Sequence, residues 1–99
     1  MIRQTHLYIK GDVIGVGFRA WTKIQAKIFG VRGWVKNSFD KKNIFGAGGG
    51  VEALLQGEDE VLQKMILIIK EGSPVSRVED VEVYEQEITE IYEGFEIRK

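Results

Sequence analysis

The chain has no cysteine, so neither a disulfide framework nor a thiolate zinc site is available, and nothing in it depends on an oxidising compartment. Histidine is nearly absent too. The only one, His6, stands at the outset of an alternating stretch and reads as an ordinary surface or sheet residue rather than a catalyst. Long apolar runs are missing: Met65-Ile66-Leu67-Ile68-Ile69 is far short of a membrane span, and the N-terminus lacks the apolar core of a signal peptide. A cytoplasmic protein with no membrane partner is expected. The net charge is −1, which leaves no basic surplus for nonspecific nucleic-acid binding. At 99 residues, 43% of them hydrophobic, the chain is long enough for one compact core and short for two, which predicts a single domain over 1–99; a monomer is expected, though no residue pattern specifies the oligomeric state.

Charge is uneven along the chain. Residues 1–42 hold nine Lys or Arg (Arg3, Lys10, Arg19, Lys23, Lys27, Arg32, Lys36, Lys41, Lys42) against two acids, Asp12 and Asp40, while the remainder holds five against thirteen. A basic half of this kind would steer a small anion toward a site within it. Pairing between the two halves accounts for the pattern equally well.

What is present, and what the rest is organised around, is Gly11-Asp12-Val13-Ile14-Gly15-Val16-Gly17-Phe18-Arg19. Here an alternating run breaks into glycines and restarts with helical spacing. No Ser, Thr, Asp or Asn precedes the helix to fill its first N–H groups, so those donors point into the turn. A helix N-terminus carries partial positive charge, and Arg19 in the first turn offers a guanidinium that grips phosphoryl or carboxylate oxygens two at a time. The stretch reads as a phosphate cradle. Two other readings compete: a tight strand-to-helix connection with a solvated arginine, and a loose dinucleotide fingerprint, Gly15-x-Gly17-x-x-Ala20 with Asp40 ~20 residues on. The fingerprint is set aside, because Phe18 and Arg19 crowd the place where a pyrophosphate needs bare backbone.

Along the chain, His6 to Val13 alternates as a half-buried strand with Leu7, Ile9 and Val13 inward. Phe18 to Phe29 has helical spacing, with a stripe of Ala20, Trp21, Ile24 and Ile28 widened by Ala26 and Phe29, and Gly30 suits its C-terminal cap. Gly33 to Ser38 reads as a second strand and Val51 to Gln56 as a third, with Val51, Ala53 and Leu55 on one face. Between them, Asp40 to Gly50 reads as a flexible, glycine-rich loop carrying Ile44 and Phe45, either folded over a site, in a subunit contact, or simply a tolerated surface insertion. A second helix runs from Glu58 to about Lys70 and is stopped by Gly72-Ser73-Pro74. A fourth strand runs from Val78 to about Gln86, with a phase change between Val78 and Val81 that suggests a bulge. After an acidic connection, Gly94 to Ile97 forms a short last strand. The order β-α-β-β-α-β predicts an α+β, ferredoxin-like (split βαβ) sandwich: an antiparallel sheet, both helices on one face, and a short C-terminal edge strand. Connections in that layout bring the cradle and Asn37 toward one another. An RNA-recognition sheet of the same topology is disfavoured, since its paired aromatic platform motif is missing.

The run Val13-Ile14-Gly15-Val16-Gly17-Phe18-Arg19, then Ala26 and Gly30, then Gly33-Trp34-Val35-Lys36-Asn37, resembles the signature of the acylphosphatases. Gly50-Val51-Glu52, Glu71-Gly72-Ser73-Pro74, Arg77-Val78 and Gly94-Phe95 fall where that family has counterparts. The resemblance implies a metal-independent hydrolase on a ferredoxin-like fold, without a cofactor, that splits a carboxyl-phosphate anhydride into a carboxylate and inorganic phosphate, the latter also an inhibitor. It implies that Arg19 binds the phosphoryl group with the amides of about Gly15, Val16, Gly17, Phe18 and Arg19, and that Asn37 positions the attacking water. Such a sparse site suffices chemically. A carboxylate leaving group departs without a strong general acid, so the protein need only position the water and stabilise charge on the phosphoryl oxygens. A non-catalytic module that holds a phosphorylated ligand, such as carbamoyl phosphate, is the alternative. Without the resemblance, Asn37 would read as a turn-former bonding its own backbone, and Lys36 as a solvated residue on the opposite face. The chain departs from the family in two places: Ile14 stands where a glutamine is usual, and Lys41 to Gly49 is longer than the usual tight turn.

Overall fold

The computed structural model describes all of residues 1–99. Its elements in chain order are β1 (Ile2–Asp12), α1 (Phe18–Phe29), β2 (Arg32–Ser38), α2 (Lys42–Phe45), β3 (Gly50–Glu58), α3 (Asp59–Glu71), β4 (Arg77–Gln86) and β5 (Phe95–Arg98). The alternation in β1 sends Leu7 and Ile9 into the core under the helices and leaves His6, Tyr8 and Lys10 on the other, open face. Pairing of Ile2 with Glu58 and Thr5 with Leu55 carries the strand further toward the N-terminus than the alternation alone indicates.

The strands are ordered β4-β1-β3-β2-β5. Neighbours among the first four are antiparallel, and α1 and α3 share one face, giving the α+β ferredoxin-like arrangement. The sheet is nevertheless mixed: β5 pairs with β2 in parallel, Gly33 opposite Phe95 and Lys36 opposite Arg98. Chain path explains the direction. β4 ends beside the start of β1, with Gln86 opposite Gln4, and the acidic connection crosses that end of the sheet before turning up into β5. Gln56, only 1% exposed, latches the crossing. Its Nε2 donates to Gln4 Oε1 (2.7 Å) and to the Glu90 carbonyl (2.6 Å), and its Oε1 accepts the Tyr92 N–H (3.0 Å).

The phase change in β4 is a bulge. Lys10 faces Asp80 while Gly11 faces Val78, so Glu79 is the extra residue. The expected face of α1 is corrected. Phe18, Thr22 and Ala26 are its buried residues, and Ile24 and Ile28 lie in solvent at 57% and 69% exposure. Thr22 turns inward because its hydroxyl donates to the Phe18 carbonyl (2.8 Å), which leaves only its methyl to face the core.

The segment between β2 and β3 is also more ordered than a glycine-rich loop. Lys42–Phe45 form one helical turn, and Phe45 lies on the open face with its ring centroid 5.9 Å from that of Tyr8. A Cβ at Gly50 would overlap that ring, so the glycine is the seat on which Phe45 rests. Three of the nine early basic residues meet acids of the second half: Arg3 with Glu85 and Asp59, Lys10 with Glu82 and Asp80, and Lys41 with Glu52. Charge pairing thus accounts for part of the unevenness, and Arg19 and Lys36 are outside it.

Candidate active site

The C-terminal ends of β1, β2 and β5 and the first turn of α1 meet at one end of the sheet. In the connection from β1 to α1, Ile14, Val16 and Phe18 pack against the core, Phe18 at 1% exposure, with Gly15 and Gly17 alternating between them in solvent. The inward side chains pin the loop. The glycines take positive φ, 77° at Gly15 and 74° (ψ 18°) at Gly17, which turns the backbone sharply between the inward side chains. Gly17 caps α1 with no side-chain bond. The last turn bond before the loop is Val13 N–H to the Gly11 carbonyl, and the first helical bond is Trp21 N–H to the Gly17 carbonyl, both 3.0 Å. No turn, cap or side-chain bond claims the amides between them, so these donors have no partner in the chain beside the helix's positive end.

Arg19 is half-buried, and its Nη1 donates to the carbonyl of Arg98 at 3.3 Å. Because Arg98 is opposite Lys36, that bond draws the guanidinium to the end of β2, where Asn37 is the next residue. Asn37 is half-buried and shares the helix-facing side of the sheet with Val35, opposite Val51 of β3. The hydrogen bonds around it belong to Arg19 and Ser38. Its own carboxamide bonds no group of the chain, unlike a turn-forming asparagine. Lys36 points the other way, its Nζ 5.6 Å from the centre of the Trp34 ring.

His6 is on the opposite face of the sheet from the β1–α1 loop and Asn37. It lies on the open face, stacked on Tyr8 with centroids 4.7 Å apart, its Nε2 2.9 Å from Glu52 Oε1. Glu52 was not legible as more than part of a strand, yet it is a carboxylate at 2% exposure, held on its other oxygen by Lys41 Nζ at 3.0 Å. Burial raises its pKa. Hydrogen bonds from His6 and Lys41, with the lysine's charge, outweigh that and bring it below the usual carboxylate range.

The acylphosphatase family model matches residues 5–97, which contain the loop, Arg19 and Asn37. The chain belongs to the acylphosphatase family. It is 39% identical over 95 residues to an acylphosphatase of Syntrophobacter fumaroxidans, covering 96% of this chain and 90% of that one. It is 44% identical over 94 residues to an acylphosphatase of Pyrobaculum islandicum, covering 95% and 92%. The crystal structure of acylphosphatase from Bacillus subtilis superposes over 100% of both chains at a TM-score of 0.85 and 35% identity. A crystal structure of full-length HypF in its phosphate- and nucleotide-bound form also matches, with a TM-score of 0.84 and 28% identity, but there the chain covers 12% of the larger protein. Acylphosphatase activity, hydrolysis of the carboxyl-phosphate bond to a carboxylate and inorganic phosphate, comes with membership of the family, and with it the class of hydrolases acting on acid anhydrides. None of these relatives favours a non-catalytic binding module. No helix is long and apolar enough to cross a membrane.

Proposed function

We propose that the amides of Gly15 to Arg19 and the Arg19 guanidinium hold the phosphoryl group of an acyl phosphate, and that Asn37 holds the attacking water beside it. The observation that supports this reading is the bond from Arg19 to the Arg98 carbonyl, which holds the guanidinium at the end of β5 that pairs with Lys36, the residue before Asn37, at the mouth of an uncapped helix. The amides and the arginine fork lie where charge spreads over the phosphoryl oxygens in the transition state. The carboxamide offers a donor and an acceptor, enough to fix a water's orientation and remove part of the entropic barrier. The leaving carboxylate needs no proton, and a phosphoryl oxygen of the substrate takes the one the water gives up.

On this reading inorganic phosphate, the product, competes with substrate for the same amides. The protein acts as one catalytic unit over 1–99, a cytoplasmic monomer. The edges of the sheet support the monomer: β5 is only four residues long, and β4 carries Glu79, Asp80, Glu82 and Glu85, which discourages strand addition. Hydrolysis of a simple acyl phosphate by the parent, Arg19→Ala and Asn37→Ala tests the assignment. Turnover should fall by about a hundredfold or more in each variant; parental rates in both would remove these residues from the site.

A further inference from the structure

The open face of the sheet carries a buried ionic cluster that the reaction as described leaves unused. Glu52 lies in the third strand between His6 Nε2 on one oxygen (2.9 Å) and Lys41 Nζ on the other (3.0 Å). Removing a carboxylate from water is costly unless its partners are fixed, and a cluster of this kind specifies local geometry more reliably than it adds stability. Its location says which geometry. Glu52 is next in sequence to Val51, the residue paired with Asn37, and Lys41 is four residues after Asn37. β5 stops pairing at Lys36 opposite Arg98, so at Asn37 the second strand has a neighbour only on the β3 side.

Beyond Asn37 the ladder to β3 ends with Ser38 opposite Gly50, and side chains continue the hold on the chain. Ser38 is buried and its hydroxyl donates to Asp40 Oδ1 (3.2 Å). Lys41 anchors the helical turn after it: its ammonium binds Glu52 while its carbonyl accepts the N–H groups of Ile44 (3.0 Å) and Phe45 (2.9 Å). We infer that Lys41, Glu52 and His6 form a positioning device for Asn37, and that the long β2–β3 connection belongs to the active-site architecture. This rests on the reading that Asn37 holds the water. The cluster acts on the end of β2 and leaves the β1–α1 loop, and thus phosphate binding, alone.

The test is a double-mutant cycle in kcat, with the competitive inhibition constant of inorganic phosphate measured on the same proteins. Lys41→Met, which keeps the stem and removes the charge, should lower kcat roughly tenfold with phosphate inhibition unchanged. Lys41→Arg should restore most of the rate, and Glu52→Gln should behave as Lys41→Met does. In an Asn37→Ala background, Lys41→Met should have almost no further effect. Parental kcat in Lys41→Met, an undiminished effect in the Asn37→Ala background, or a phosphate constant that worsens in step with kcat would each overturn the inference while leaving the reading of Asn37 standing. Parental turnover by Asn37→Ala itself would remove that reading and this inference with it.

Discussion

Replacing Gly17 by alanine puts two energies in competition at the centre of the proposed cradle. Gly17 has φ 74° and ψ 18°, and a Cβ there meets no atom within 4 Å, so the substitution introduces backbone strain without a clash. Holding an L-residue in the left-handed region costs about 1–2 kcal/mol. If the loop keeps its shape, the whole protein bears that strain, and a domain of this size should melt roughly 5–15 °C lower. If the loop relaxes instead, the amides lose alignment and phosphate binding weakens by about 5- to 30-fold, the same energy expressed in a binding constant. Thermal unfolding and phosphate inhibition measured together should account for the strain between them. Gly17→Asn, whose side chain tolerates these angles, should show a smaller combined effect. Parental melting together with parental phosphate inhibition in Gly17→Ala would refute the claim that this conformation shapes the cradle.

Glu52 makes stability depend on acid. Its folded pKa lies below the ordinary carboxylate value because the bonds from His6 and Lys41 outweigh its burial, so its contribution is complete above the unfolded pKa and is lost as pH falls through the folded one. Denaturant melts across that range should show a steeper acid loss in the parent than in Glu52→Gln, and parallel curves would contradict it. Phe45→Ala, removing a half-buried ring from Tyr8 and Gly50, should cost about 1–2 kcal/mol by chemical denaturation; no change would mean that the insertion is not docked. Gln56→Leu strands the Glu90 carbonyl and the Tyr92 N–H and should cost about 1–3 kcal/mol. Hydrogen exchange should show the loss as faster opening of the crossing and β5.

Local chemistry made much of this fold legible. The alternation of Leu7 and Ile9, the helical spacing after Phe18 and the phase change between Val78 and Val81 each depend on neighbours in sequence, and each became the expected strand, helix or bulge. What escaped is set by distant partners. Ile24 and Ile28 look like core residues until Thr22 hides its hydroxyl against the Phe18 carbonyl and shifts the buried face. Phe45 and Lys41 look ordinary in a glycine-rich loop, because Tyr8 and Glu52, which hold them, lie on other strands. Alternation marks Glu52 and Gln56 as solvent-facing, but their strand is central, and long side chains cover it on both faces. At the site, the glycine-arginine run and the asparagine were readable from their spacing and their resemblance. The bond from Arg19 to the Arg98 carbonyl was not, since it needs β5 to run parallel to β2.

The central claim is that the unpartnered amides at the start of α1, together with the Arg19 guanidinium, hold a tetrahedral anion. Titrating inorganic phosphate into isotope-labelled protein while following each backbone amide by NMR tests it most directly. The amides of Gly15 to Arg19 should shift together along one saturating curve, persist in Asn37→Ala and vanish in Arg19→Ala. Saturable shifts centred elsewhere, or an unchanged response in Arg19→Ala, would contradict it.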